Sequence, residues 1–442
     1  MTVVKVGMLS LLCLGLVALA AIGLYGVPQL PGIAQPSATE APTGFKTPTL
    51  QHRPPSRLSL QSVSNGIPEP PGDTFALDQQ IFEEEKGVDT GLGPVFNARS
   101  CVDCHQSPVT GGPSQFTEMR AGFHNRDGNF VLPVISIDRG LQTIGGRDVI
   151  NDRAICALAQ EHVQPEDTIQ VLRSSLNTLG DGFVEAIADE TLIDIAKRQP
   201  IETNGVIKGI VVRVPILEAP GHERVGRFGW KNQHASLLSF SADASLNEMG
   251  VTNRLAPHDV TTVCKTTKDP EDRVDKLGME AIDHVTQFIR GTMAPPRDRV
   301  LTATREATAG EKIFGNIGCN ICHVESITTA HAGTVINGGT FTIPQALGDK
   351  IIHPFSDFLL HKVDKDGIPP LPQDPHFDFS DWLRTSPLWG LRTKTRFMHD
   401  AQSKTLEESI LRHCCESKQS TDSFRQLSKE QQSELIAFLN SL

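Results

Sequence analysis

The sequence predicts a mainly α protein of two domains packed together, with a small β-rich excursion in the first. Three observations predict it. A Cys-x-x-Cys-His pentapeptide stands near the start of each half of the chain, as Cys101-Val-Asp-Cys104-His105 and Cys319-Asn-Ile-Cys322-His323. Each follows an Ile-Phe segment that reads as a helix, Gln80-Ile81-Phe82 before the first and Glu311-Lys-Ile-Phe-Gly315 before the second. Between the two, β-branched residues crowd into Gly205-Val-Ile-Lys-Gly-Ile-Val-Val-Arg-Val-Pro215, a strand-like stretch.

The elements follow in chain order. Lys5 precedes an uncharged apolar run from Val6 to Val27, so residues 1–27 read as a signal peptide or an N-terminal membrane anchor. Ala18-Leu-Ala20 is an acceptable cleavage site, but the run continues through Ile22, Leu24 and Val27, which favours retention. Either outcome places the globular part outside the cytoplasm, in the periplasm or its equivalent, with residues 6–27 as the attachment to the inner membrane if they are kept. Residues 28–75 are rich in Pro and read as an extended linker. The rest is long enough for two domains, placed at 76–300 and 301–442. Asp167 to Leu179 and Thr191 to Arg198 read as helices, and Ser428-Lys-Glu-Gln431 is a capping box that opens a final helix carrying Leu435, Ile436, Phe438 and Leu439.

The pentapeptide spacing is chemical. Two thiols three residues apart can each add to one vinyl group of a porphyrin, and the next residue sets an imidazole under the iron. Two copies predict two covalently bound haem c groups, held by Cys101, Cys104, Cys319 and Cys322, with His105 and His323 as iron ligands. Of the remaining cysteines, Cys156 and Cys264 are the natural long-range disulfide pair in an oxidising compartment, whereas adjacent Cys414 and Cys415 read as a strained disulfide or as reduced thiols. A net charge of −11 and the lack of a basic stretch exclude nucleic acid as a partner.

Four stretches resemble a known family: Gly91-Leu-Gly-Pro-Val-Phe-Asn-Ala-Arg-Ser-Cys-Val-Asp-Cys-His105, Gly226-Arg-Phe-Gly-Trp-Lys-Asn-Gln-His-Ala-Ser-Leu237, Phe355-Ser-Asp-Phe-Leu-Leu-His361 and Pro387-Leu-Trp-Gly-Leu-Arg-Thr-Lys-Thr-Arg-Phe-Met-His-Asp400. They look like the di-haem oxidoreductases related to bacterial di-haem cytochrome c peroxidases. The resemblance covers nearly all of residues 76–442. It implies two cytochrome c-like haem domains, one haem receiving electrons and the other reducing peroxide or another small oxidant.

The resemblance also implies site residues. In Thr405-Leu-Glu-Glu-Ser-Ile-Leu-Arg-His413 the last position is that of the second haem's distal ligand, a Met in the relatives and His413 here; Met398 is the rival. An imidazole in place of a thioether lowers the potential of that haem. The relatives place a distal His before Gly-Trp, where this chain has Phe228, so His234 is the candidate for the first haem, beside His222, His124 and an open position. The single tyrosine, Tyr25, lies in the apolar segment, which excludes tyrosine ligation. Glu248 is the candidate distal carboxyl that shuttles a proton during O–O cleavage, with Glu185 second. Trp230, Trp382 and Trp389 are candidates for an aromatic relay. A structural Ca²⁺ is implied as well, without an Asp-rich loop to name its ligands. The expected enzyme reduces hydrogen peroxide with electrons from a small redox protein or a quinol-linked donor. The alternatives are a di-haem electron-transfer cytochrome without its own substrate and an oxidase of a small sulfur compound.

Overall fold

The computed structural model describes residues 37–45, 62–364, 367–368 and 380–442; the apolar run 6–27, with Tyr25, lies outside them. Eleven α-helices occur among the described residues: α1 (Phe75–Glu83), α2 (Cys101–Cys104), α3 (Asp181–Glu185), α4 (Asp189–Glu202), α5 (Leu237–Met249), α6 (Ala281–Gly291), α7 (Arg299–Thr302), α8 (Arg305–Asn316), α9 (Leu406–Arg412), α10 (Lys418–Gln426) and α11 (Lys429–Leu439). Several start where a hydroxyl satisfies an orphan backbone N–H. Thr74 accepts from Leu77, Thr304 from Ala307, and Ser428 from Gln431, whose side chain accepts from Ser428 N in return.

The expected mainly α fold of two cytochrome c-like haem domains does not hold. Of the described residues 31% are helical and 16% extended, the latter spread over many small sheets. Most of the surplus lies between the first pentapeptide and α3. There Thr117–His124 pairs antiparallel with Ile169–Ser174, Val149–Ile150 and Phe130–Val131. The helix expected over Asp167 to Leu179 is therefore a strand. Its β-branched Ile169 and Val171 alternate with Gln170 and Leu172, a pattern that suits a pleated surface better than a helical turn. The excursion at 205–215 is extended only at Arg213–Pro215, which pairs with Glu223–Val225, while Ile210 bridges to Leu360. Within the Pro-rich stretch, Thr39–Glu40 pairs parallel with Lys350–Ile351, and the Asn65 side chain donates to the carbonyls of Arg290 and Thr292.

Two helix crossings hold the pentapeptides in place. Phe75 and Phe82 of α1 pack on Phe288 of α6, with ring centroids 5.2 and 4.8 Å apart, and the chain then runs to α2. In the second half, Ile313 and Phe314 of α8 pack on Leu435, Phe438 and Leu439 of α11. Gly310 lets these helices approach, since a Cβ there would lie 2.0 Å from the Glu434 carbonyl oxygen. The largest buried cluster joins residues from both halves, among them Phe183, Phe228, Phe288, Leu347, Phe358 and Trp389. A smaller one, Ala121, Ile135, Ile137, Ile144 and Ile150, fills the sheet region. Cys156 and Cys264 form the expected disulfide, and Cys414 and Cys415 are not bonded to each other.

Candidate functional site

Each pentapeptide lines its own cavity. The first, of about 890 Å³, contains Cys101, Cys104 and His105; the second, of about 530 Å³, contains Cys319, Cys322 and His323. Both volumes fall in the range of roughly 300–1,000 Å³ usual for ligand sites.

The residues present fit a haem in each cavity. His323 Nδ1 donates to the Phe355 carbonyl at 2.9 Å, which fixes the tautomer and leaves the Nε2 lone pair for a metal. Burial pushes His323 and His105 down to about 4, so both imidazoles are neutral, the ligating form. All four pentapeptide cysteines are thiols, which burial drives up, to about 12 for Cys101, Cys104 and Cys319. Cations line the second cavity at Arg384, Lys394 and Arg396. Burial, helped by the Arg384 charge, pushes Lys394 down to about 8, and burial pushes Arg384 down to about 10. Buried cations in this condition are relieved by an anion, and a haem carries two carboxylates.

His413 also lines the second cavity, at the C-terminal end of α9. Its Nδ1 donates to the Ser409 carbonyl at 2.7 Å, the same arrangement as in His323, and burial lowers its pKa. Met398 lines this cavity too, in a left-handed conformation (φ 67°), and so does the buried His399 beside it, a residue that reading the sequence did not single out. The lining of the second cavity contains no Asp or Glu among the described residues.

The first cavity is different. Glu248 sits in its wall at the end of α5. Gly250, in the left-handed region (φ 68°), closes the helix, and a Cβ there would meet the Val95 carbonyl at 2.6 Å. That contact brings residues 95–98 against the helix end, where Asn97 N donates to the Glu248 carbonyl (2.7 Å) and the Asn97 amide to Glu248 Oε2 (2.9 Å). Glu118, Arg120, Arg147 and Asp148 are among the other charged residues that line the same cavity. Arg120 Nε donates to Glu118 Oε1 (2.7 Å) and Arg120 Nη1 to Asp148 Oδ1 (2.6 Å). Glu118 and Arg120 leave one face of their strand, and Arg173 stands opposite Glu118 on the partner strand. Reading the sequence missed this group because it depends on the pairing of Thr117–His124 with Ile169–Ser174, and the second of these was expected to be helical. The alternation in Thr117-Glu-Met-Arg-Ala was the available signal.

His234 lines the first cavity as well, stacked on Phe240 with centroids 5.0 Å apart, and its Nε2 is hydrogen-bonded to Asp243 Oδ2 at 3.2 Å. Phe228 fills the wall nearby. His124 and His222 are exposed and line neither cavity. Glu185 lines neither, and it is taken up by a two-point ion pair with Arg290 (2.6 and 3.0 Å), the Asn337 amide and Leu237 N. Of the three tryptophans, Trp230 alone lines both cavities, its indole N–H donating to the Ser174 carbonyl at 2.8 Å. Three groups among the described residues have the donors for a metal ion: Cys322, Asp357 and His361; Asp73, Asp78 and His284; and Asp259, Asp269 and Glu271, where the Lys265 ammonium already bridges the carboxylates. No helix among the described residues is long and apolar enough to cross a membrane.

A family model described as "di-haem oxidoreductase, putative peroxidase" matches residues 156–442, a span that includes the second pentapeptide. No curated protein matches the sequence. Two of the similar solved structures each match at 17% identity and a TM-score of 0.24. One is a hydrazine synthase of Kuenenia stuttgartiensis pressurised with xenon, matched over 38% of this chain and 56% of that one. The other is a MauG-like protein associated with microbial copper homeostasis, matched over 37% of this chain and 52% of that one. The match thus spans about half the length of these solved chains.

Proposed function

The chain belongs to the di-haem oxidoreductase family, and from that premise we propose that it is an exported enzyme reducing hydrogen peroxide in the first cavity with electrons received at the second. The observation that carries this reading is the unequal lining of the two cavities: carboxyl and guanidinium groups crowd the first, whereas the second contains the half-buried imidazoles of His323 and His413 and holds no carboxylate among its described lining residues. Cleaving an O–O bond needs protons delivered to the departing oxygens, and carboxyls supply them. Passing an electron needs a strongly ligated iron and no proton donor.

The haems are proposed to be covalent, Cys101 and Cys104 bonding one and Cys319 and Cys322 the other, with His105 and His323 as fixed ligands and His413 completing the second. A haem so held supplies an iron that takes electrons singly and passes them to peroxide. The protein's own part is positional and electrostatic. Burial, and next the Glu118 charge, raise Glu248 well above the usual carboxyl range, which favours its protonated form. In the balanced reaction H₂O₂ accepts two electrons and two protons, the O–O bond breaks, and two waters leave. Glu248 gives one of those protons to the departing oxygen, and Arg120 and Arg147 offset the negative charge that develops. Trp230, common to both walls, fits the relay between haems. The electron donor is a small redox protein or a quinol-linked donor, and residues 6–27 serve export or attachment to the inner membrane. The implied Ca²⁺ has no assigned ligands.

The test uses holoprotein whose mass exceeds the polypeptide by two haems, supplied with a reduced donor. Glu248→Gln keeps the shape and removes the transferable proton. Its rate of peroxide reduction should fall by about 10² or more, with both haem spectra unchanged. A rate equal to that of the wild type removes Glu248 from the mechanism. Wild-type protein that consumes no peroxide moves the reading to an electron carrier or a sulfur-compound oxidase.

A further inference from the structure

Asp73, Asp78 and His284 meet where α1 crosses α6, and one donor atom from each lies within 4.8 Å of the others. Asp73 stands just before the Thr74 cap of α1, Asp78 lies on that helix, and His284 lies on α6. All three are sealed from solvent, at 5, 2 and 1% exposure. His284 Nδ1 is 2.7 Å from Asp78 Oδ1 and 3.5 Å from Asp73 Oδ1. Its Nε2 is 3.3 Å from Oδ2 of Asp275, in the loop before α6, and Asp275 Oδ1 accepts from Leu277 N and Met279 N. Three carboxylates thus surround one imidazole, and among the described residues no Lys or Arg forms an ion pair with any of them. Asp73 Oδ1 accepts from Thr74 N at 2.8 Å, but Asp73 Oδ2 is buried without a hydrogen-bond partner. A buried carboxylate oxygen left so is costly unless a cation meets it.

We propose that this cluster is a binding site for a divalent transition cation of the Zn²⁺ type, ligated by Asp73, Asp78 and His284 Nδ1, with Asp275 orienting the imidazole from its other side. The donor set argues for the class of ion. One imidazole with two carboxylates suits zinc and its first-row neighbours, whereas calcium takes roughly six to eight oxygens. A carboxylate on the second ring nitrogen holds the tautomer that leaves Nδ1 for the metal and makes it more basic. The spacing suits a small ion too. Ligands about 2.0–2.2 Å from a tetrahedral centre stand about 3.4 Å apart, close to the 3.5 Å between His284 and Asp73. The shorter contact to Asp78 opens when the ion replaces the proton of that hydrogen bond, which holds the cluster in ion-free protein. His284 and Asp275 also line the first cavity, which gives the ion a way in and a water for its remaining position. Once bound, the ion ties α1 to α6. Phe82 of α1 lies against His105, with ring centroids 6.3 Å apart, so the tie steadies the helix that backs the first pentapeptide.

The test uses full-chain holoprotein treated with a chelator, dialysed and then given zinc chloride. The wild type should keep one Zn²⁺ per chain through gel filtration, and its thermal midpoint should rise with the ion. X-ray absorption at the zinc edge, where iron does not contribute, should show nitrogen and oxygen neighbours at about 2.0–2.2 Å, with an imidazole and no sulfur. Asp73→Asn keeps the acceptor for Thr74 N and removes the charge; zinc affinity should fall by about 10-fold or more, with both haem spectra unchanged. Asp275→Asn, at a partly exposed position, should weaken zinc by about 10-fold without moving the midpoint of the zinc-free protein. A wild type that keeps no zinc overturns the proposal, and so does equal affinity in wild type and Asp73→Asn. Calcium that raises the midpoint as much as zinc overturns the class of ion. If Asp73→Asn does not fold, the wild-type zinc-edge spectrum and Asp275→Asn decide: sulfur neighbours, a missing imidazole or an unchanged affinity overturn it.

Discussion

An imidazole whose Nδ1 donates to a backbone carbonyl and whose pKa is lowered by burial has one use left for its Nε2, and the second cavity contains two such rings, His323 and His413. Each lies within electrostatic reach of the other, since His413 contributes to the lowering of His323. If His413 completes the iron, His413→Ala should convert one low-spin haem signal to high-spin and leave the other in place. Spectra unchanged in that variant but altered in Met398→Ala would hand the role to Met398, which lines the same cavity. At this scale the sequence was legible where chemistry is local. Both pentapeptides, expected from their spacing to hold haem, line cavities, and so do Glu248 and His413, which follow from the family resemblance. Glu118, Arg120 and Arg173 were not legible, because only strand pairing brings Glu118 opposite Arg173, in the lining that also contains Glu248.

Among the elements, the α1–α6 crossing carries a buried charge cluster that makes a measurable claim. His284 of α6 sits 2.7 Å from Asp78 of α1, 3.5 Å from Asp73 and 3.3 Å from Asp275. Burial raises Asp78 from its ordinary 3.8 to about 7, against the pull of His284 and with help from the Asp73 charge. A raised carboxyl binds its proton more tightly in the folded chain than in the unfolded one, so its contribution to stability is lost as pH rises from about 4 through about 7. His284, also raised, loses its contribution above its ordinary 6.5, in the same direction. Asp78→Asn should flatten the fall of thermal midpoint between pH 4 and 7, and an equal slope in both proteins would exclude Asp78 as its source. Capped helices were legible at this scale: the final helix begins at its Ser428 box, and the expected Thr191–Arg198 helix lies inside α4. The strand at Ile169–Ser174 was not. Its apolar residues suit a helical spacing as well as an alternating one, and the decision came from the partner strand Thr117–His124, more than forty residues upstream.

Taken whole, the molecule joins two cavities of unlike chemistry through one wall that contains Trp230, Phe116, Ser174, Ser175 and Arg384. The mainly α expectation failed here because the residues that distinguish the first cavity from the second are carried largely by sheet. Helices position the pentapeptides in both halves, and the sheet adds the charged groups to one of them. That division predicts a one-way device, with electrons taken in at the carboxylate-free cavity and peroxide reduced at the charged one. Rapid mixing of fully reduced holoprotein with one equivalent of hydrogen peroxide tests it most directly. The account predicts that both haems oxidise, one electron from each, and that the peroxide is consumed. Two ferrous haems persisting beside unconsumed peroxide would contradict it.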